Sequence, residues 1–355
     1  MKTIFDKSSN DRNYYHLSYN LVNLLVKLAL VFAIGLAIIV IFSTKSVAQD
    51  THLTQFYHAT TYINPAFAGT TPHYRATVLY RNQWSGIPDY QFGLASFDYN
   101  WDEAKSGVGF FATYESNGAT GFSNMTFNGQ YSFSSRITDK LMLNLGVQAS
   151  FMSRSLDFSR LKFEDQIRLG VAGVTAEKLP SATKNVFDVS GGALLYSSKL
   201  WFGLSVHHLN RPSIAILGSE DKLPMRLSVH AGGKFILDDD RYANLVLMPA
   251  IIYTNQAPFQ QLMAGTNLLF KPLIAGIWYR GMPFLSSTLG TTQQDAVALF
   301  AGFTTDGWTV GYSYDFTISG LTGAGGSHEI TLSFAPLQDT RNKRGTSHIS
   351  CPITF

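Results

Sequence analysis

The chain has 355 residues, 45% of them apolar, 14% aromatic and only 14% charged, with 30 glycines and a formal charge of +3. Soluble domains carry roughly 25% charged residues, so this composition is unusual for a soluble globular protein. Five of the 27 basic and two of the 24 acidic residues fall within the first 48, which leaves 22 of each and no basic field for a nucleic-acid partner. The single cysteine, Cys351, excludes an internal disulfide framework.

The chain opens with a polar stretch carrying Lys2, Lys7, Arg12 and Lys27. The apolar run LALVFAIGLAIIVIF follows at 28–42, then STKSVAQD with small residues at Ser46 and Ala48. This is the layout of a secretion signal cut between Ala48 and Gln49. The apolar run falls short of the roughly 20 residues of a spanning helix. The expected organisation is a signal peptide at 1–48, a lead-in segment at 49–72, a transmembrane β-barrel at 73–336 and a periplasmic tail at 337–355.

Beyond residue 50 no apolar run is long enough for a second span, and no helical period is evident. Period-two alternation takes its place. In 124–135, Met125, Phe127, Tyr131 and Phe133 share one face, and Asn124, Thr126, Asn128, Gln130, Ser132 and Ser134 the other. In 141–151, Leu141, Leu143, Leu145, Val147, Ala149 and Phe151 alternate with Met142, Asn144, Gly146, Gln148 and Ser150. The pattern predicts strands at 74–84, 90–101, 107–116, 122–135, 140–155, 186–197, 199–209, 225–237, 242–254, 260–270, 273–282, 296–305, 308–318 and 328–335. That is about fourteen antiparallel strands, each long enough to cross a bilayer at a tilt. Pro249 lacks a ladder donor and suggests a bulge in the ninth. A soluble β-sandwich would need shorter strands and more outward charge.

The connections carry independent information. Turns after even-numbered strands are short, as in RITDK (136–140), DDDR (238–241), Lys271-Pro272 and TDGW (305–308). Every long loop (156–185, 210–224, 283–295 and 319–327) follows an odd-numbered strand. This is the asymmetry of an outer-membrane barrel, with the short turns periplasmic. Trp84, Tyr90, Trp101, Trp201, Trp278 and Trp308 lie near predicted strand ends, where interfacial girdles form. The polar faces, including Arg81, Glu115, Asp188, Arg226, Lys234, Arg280, Asp315 and Glu329, would line the lumen. On the lipid side, each Arg or Lys would cost about 2–4 kcal/mol near the midplane. The loop at 157–185 mixes charges with Leu161, Phe163, Ile167, Leu169, Val171 and Val174. That mixture fits a segment that caps the lumen or grips a partner, the alternative being a flexible loop that shields the barrel mouth.

Motifs for chemistry are weak. His207 and His208 are adjacent in a strand and would face opposite ways, one to the lumen and one to the interface. Asp238, Asp239 and Asp240 lack the spaced oxygens of a calcium loop. GAGGS (323–327) lacks the Lys-Ser/Thr of a phosphate loop. No Gly-x-Ser-x-Gly elbow occurs. No catalytic, metal or cofactor set is expected, and the chain reads as a non-enzyme.

The stretches HLTQFYHATTYINPAFAG (52–69) and YRNQW (80–84), with CPITF (351–355), resemble the PorP/SprF family of type IX secretion system outer-membrane proteins. Members typically carry a Q-F-S-Q-Y-like segment, for which this chain has QFYH (55–58), then an I-N-P-A-Y/F-A-G motif, a Y-R-N-Q-W first strand and a Cys-Pro-x-Phe-like tail. The resemblance marks Asn64, Pro65, Phe67, Gly69, Tyr80, Arg81, Asn82, Trp84, Cys351 and Pro352 as family-motif or partner candidates. It implies an integral outer-membrane protein with three sets of partners: a secreted adhesin bound through its C-terminal domain, other secretion components of the periplasm and outer membrane, and outer-membrane lipid. The C-terminal domain of that cargo is what the loop at 157–185 would grip. In the lead-in, Pro65 fixes φ, Gly69 permits a reversal and Asn64 can bond its own turn. This segment is expected to dock in the periplasm or the lumen and set the register of the first strand. The alternative is a diffusion channel or a transporter of small or hydrophobic solutes.

Overall fold

In a computed structural model, the structure describes residues 50–84, 90–161, 167–168, 182–216, 221–238, 245–286, 292–319, 325–336, 349 and 351–353. The alternation read from the sequence becomes the wall of a barrel. Its strands are β1 (Tyr74–Gln83), β2 (Tyr90–Trp101), β3 (Ser106–Asn117), β4 (Phe122–Thr138), β5 (Leu141–Leu156), β6 (Thr183–Tyr196) and β7 (Leu200–His207). They continue with β8 (Arg226–Gly233, resumed at Phe235–Ile236), β9 (Leu245–Gln256), β10 (Phe259–Phe270), β11 (Leu273–Ser286), β12 (Thr292–Thr305), β13 (Trp308–Thr317) and β14 (Ser327–Phe334). Each pairs antiparallel with its chain neighbours, and β14 closes on β1 through Ala76↔Phe334 to Asn82↔His328. The expected closed barrel of about fourteen strands is the observed architecture. No described helix is long and apolar enough to cross a membrane.

Side-chain direction follows the pleat. On β4, Met125, Phe127, Tyr131 and Phe133 project outward, while Thr126, Asn128, Gln130 and Ser132 are buried inside. On β5, Leu145, Val147 and Phe151 face out and Asn144, Gln148 and Ser150 face in. An inward polar face is stable here because the lumen contains chain rather than lipid.

Three details differ from the sequence reading. β11 and β12 run to Ser286 and from Thr292, several residues past the expected ends at 282 and 296, with register shifts at Arg280/Gly281 and Met282/Ser286. Alternation is blurred by those bulges, which hid the extension. Pro249 sits within a continuous β9–β10 register, opposite Thr266. On the β8 side pairing lapses between Gly232↔Ala250 and Phe235↔Leu247 without a slip, so the ladder opens where the proline has no donor and no residue is inserted. The tryptophan girdle is smaller than expected. Trp101 and Trp308 face outward, but Trp201 and Trp278 are buried in the lumen.

The turns joining β2–β3, β4–β5, β6–β7, β10–β11 and β12–β13 are short, and lie at one end of the barrel. The described residues that follow β5 and β7, 157–161 and 208–216 with 221–225, lie at the other. The second of these folds inward, its Ser213–Lys222 bridge placing Ile214 and Leu223 against Met152 and Val186. Most of 157–185, including Phe163, Leu169, Val171 and Val174, falls outside the described residues, as do the signal segment and GAGGS except Gly325, Gly326 and Ser327.

Candidate functional site

Residues 50–71 run through the inside of the barrel. They enter at the long-loop end, where the Asp50 backbone N–H donates to Gln256 Oε1 at 3.0 Å and the Asp50 carboxylate pairs with Arg226 at 2.9 Å. They leave at the short-turn end, where Gly69 N–H donates to Asp98 at 3.2 Å. Between these points the segment forms a one-turn helix α1 (Thr60–Ile63) and a 3₁₀ turn (Pro65–Phe67). Asn64 caps that turn, its Oδ1 accepting from Ala66 N–H at 2.8 Å, and Pro65 occupies the position where no donor is needed. His73 at φ 66° then turns the chain into β1.

Four sets of wall residues hold this plug. In the first, Arg81 reaches Asp315 at 2.8 Å and Glu329 at 2.9 Å, and Arg280 reaches Asp315 at 2.9 Å and Asp295 at 2.5 Å. The plug completes the cluster. Thr54 N–H and Gln55 N–H donate to Glu329 at 3.0 and 2.7 Å, and Thr54 Oγ1 donates to Asp315 at 2.8 Å. Buried charges persist only when paired and fully hydrogen-bonded, and the plug backbone supplies the missing donors.

In the second set, Asp50 lies between Arg226 and His208, and His208 Nδ1 reaches Asp188 at 3.0 Å. Tyr90 bridges Thr51 and Glu115, completing the same end of the lumen. Both histidines point inward, against the expectation that they face opposite ways. β7 ends at His207, which meets Ile63 O at 2.9 Å, and His208 adopts φ 60°, which swings its ring back inside. Burial works against protonation of His208, but the Asp50 and Asp188 carboxylates overcome it and raise its pKa to about 9. Burial likewise opposes ionisation of Asp50, and His208 and Arg226 reverse that and hold it well below the usual carboxylate range.

The third set grips Asn64, whose Nδ2 donates to Ala193 O and Leu204 O, each at 3.0 Å, and meets His230 Nε2 at 3.1 Å. Glycines in the wall make room. A Cβ on Gly192 would lie 2.0 Å from Asn64 Oδ1, one on Gly146 2.3 Å from Ala66 N, and one on Gly107 2.1 Å from Ala68 O. Gly69 at φ 70° meets Gly107 in turn, so neither position admits a side chain. The fourth set is aromatic. Trp278 contacts Phe56 edge-on at 5.0 Å and stacks on Tyr57 at 5.7 Å, and Trp201 meets Phe67 at 5.8 Å.

The motif candidates therefore divide. Asn64, Pro65, Phe67 and Gly69 form the plug, and Arg81 anchors it. Tyr80 faces outward, while Asn82 and Trp84 lie half-buried at the long-loop rim and do not join the plug. Cys351, Pro352 and Ile353 are buried, with Cys351 and Ile353 in the apolar cluster that includes Tyr196, Trp201 and Val246. Burial pushes the Cys351 thiol up to about 12, so it behaves as an inert apolar group. Of the lumen candidates, Arg81, Asp188, Arg226, Arg280, Asp315 and Glu329 project inside, and Glu115 bonds Tyr90 and Asn124 near the long-loop end. Lys234 stands in the gap of β8 at the short-turn mouth. Trp201, Trp278, Asn144, His230 and the three glycines were missed, because nothing in a strand's own pattern marks which inward groups meet the plug.

A sequence-family model described as type IX secretion system membrane protein PorP/SprF matches residues 45–334. No curated relative matches. Among solved structures, the Acinetobacter baumannii outer membrane protein Omp33 is 10% identical with a TM-score of 0.42, covering 75% of this chain and 99% of its own. The P. putida toluene transporter TodX is 11% identical with a TM-score of 0.45, covering 78% of this chain and 93% of its own. A Pseudomonas aeruginosa FadL homologue is 12% identical with a TM-score of 0.38, covering 77% and 92%.

Proposed function

Because the chain belongs to the PorP/SprF family of type IX secretion system membrane proteins, we propose that this outer-membrane barrel holds or delivers a secreted adhesin at the cell surface and does not conduct solutes. The filled lumen carries the reading. Residues 50–71 thread the barrel from end to end, and ion pairs and backbone hydrogen bonds fix them at Asp50, Thr54–Gln55, Asn64 and Gly69. Free diffusion would require breaking these contacts, each buried charge pair costing about 3–5 kcal/mol if only one partner is removed. A closed wall suits a protein that works through its two ends. The long-loop end would face cargo outside the cell, and the short-turn end would face the periplasmic components.

Deletion of the gene tests the function. Surface display of one or a few large adhesins should be lost while secretion of other type IX cargo continues. Unchanged surface proteomes with a new solute-uptake defect would establish the channel reading instead. Sidedness is read separately. A cysteine at exposed Ala119 should label with an impermeant maleimide in intact cells, and one at exposed Asp139 only after lysis. The reverse would invert the topology.

A further inference from the structure

The plug fills the β3–β6 side of the short-turn end more fully than the opposite side. There a cavity of about 470 Å³ remains, bounded by Tyr57 and His58 of the plug and by the ends of β1, β8–β10 and β12–β14. This lies within the roughly 300–1,000 Å³ of ligand-binding clefts. Its lining is divided. Ile236, Val246 and Leu269 form an aliphatic wall, and Thr304, Thr305, Thr309 and Ser333 a hydroxyl wall. Arg75, Lys234 and Lys271 share the lining with Asp306, and because Arg75 is already ion-paired with Asp98 the balance is a single excess positive charge. Arg75 is buried and rigidly held: Nε donates to Asp98 at 2.9 Å and Nη2 to Thr60 Oγ1 at 2.6 Å. Its Nη1 has no hydrogen-bond partner. A buried guanidinium N–H left unsatisfied costs free energy that a ligand oxygen would recover.

We propose that this cavity is a docking site for an acidic, apolar peptide segment of a periplasmic partner. A carboxylate would meet Arg75 Nη1 and the two lysines, and an aliphatic or aromatic side chain would lie on Ile236, Val246 and Leu269. Charge complementarity selects an acidic occupant, and the aliphatic wall selects a peptide over a bare anion. The periplasmic location rests on the sidedness proposed above, but the binding chemistry does not.

The test uses the full mature chain, purified in detergent micelles, and a fluorescein-labelled hexapeptide of alternating Leu and Glu. Fluorescence anisotropy should show saturable binding, and the Leu/Gln counterpart should bind at least about tenfold more weakly. The double variant K234Q/K271Q, checked for heat-modifiable migration, should lose about tenfold in affinity. Gly93→Ala, whose Cβ would meet nothing closer than 4.0 Å, should not change it. Absent binding, equal binding of the Gln peptide, or unchanged affinity in the double variant overturns the proposal. Displacement by millimolar inorganic phosphate replaces the peptide with a small-anion site and overturns it as stated. Adhesin display in cells is scored independently, so failure here with display still dependent on the barrel leaves the proposed function standing.

Discussion

Gly146→Ala should unseat the plug while sparing the wall. The new Cβ would fall 2.3 Å from Ala66 N, 2.4 Å from Pro65 C and 2.6 Å from Ala66 Cα. All three are backbone atoms of the 3₁₀ turn, so no side chain can rotate away, and the turn must retreat by about 1 Å to reach ordinary carbon contact. Asn144 Nδ2 to Ala66 O, already 3.3 Å, and the Asn64 bonds at 3.0 Å lie on either side of that movement. Overpacking costs about 1–3 kcal/mol, and each buried hydrogen bond lost about 0.5–1.5 kcal/mol. A total of about 2–5 kcal/mol follows, enough to populate the released plug substantially. β5 itself should tolerate the change, since alanine is no misfit in an extended strand and the β4 and β6 pairings do not involve the Cβ. In planar bilayers Gly146→Ala should show conductance that the parent lacks, with heat-modifiable migration retained. Gly93→Ala in β2 is the matched control, its Cβ meeting Tyr114 O at 4.0 Å, an ordinary contact. Equal conductance in the two variants would refute the idea that wall glycines seat the plug.

Arg81→Leu leaves Asp315 and Glu329 buried with fewer cations, so the temperature of the heat-modifiable shift should fall, consistent with a loss of about 3–5 kcal/mol, whereas outward Val78→Leu should leave it unchanged. The His208 pKa is raised when the plug is seated, so its contribution is fully present below the free value near 6.5 and is lost as pH rises through about 9. Asp50 and Asp188 bond the ring, His207 lies beside it, and Arg226 pairs with the same Asp50. Labelling of a Thr51→Cys probe should therefore rise across that window, and His208→Gln should flatten the profile. Brominated lipid should quench Trp101 and Trp308 but not Trp201 or Trp278, as single-tryptophan variants would report.

The wall was legible because a strand in a bilayer obeys one rule, apolar outward and polar inward. β4 and β5 state it in nearly every residue. Loop lengths added the asymmetry without any reference to side chains. The plug's location was half-legible. Asn64, Pro65 and Gly69 announce a fixed turn, but whether that turn lies in water or in the lumen depends on residues over a hundred positions away, such as Ala193 and Leu204. Trp201 and Trp278 were misplaced for the same reason. A tryptophan near a strand end suits the interface equally well, and only Phe67 and Phe56 inside the barrel explain why these two turn inward. His208 escaped because its positive φ breaks the period just where the strand stops.

The direction of the plug bears on how the barrel is made. The segment precedes every wall strand in the chain, yet Thr54 and Gln55 bind Asp315 and Glu329 on β13 and β14, and Arg81 on β1 reaches the same two carboxylates. β1 and β14 are the strands whose pairing shuts the ring, and their partners stand about 250 positions apart, from Asn82↔His328 to Ala76↔Phe334. The plug's contacts are therefore complete only once the last strands are in place, and the segment is positioned as a mandrel around which the sheet closes. Closing the sheet and seating the plug draw on the same two carboxylates, which couples sealing of the lumen to closure of the wall.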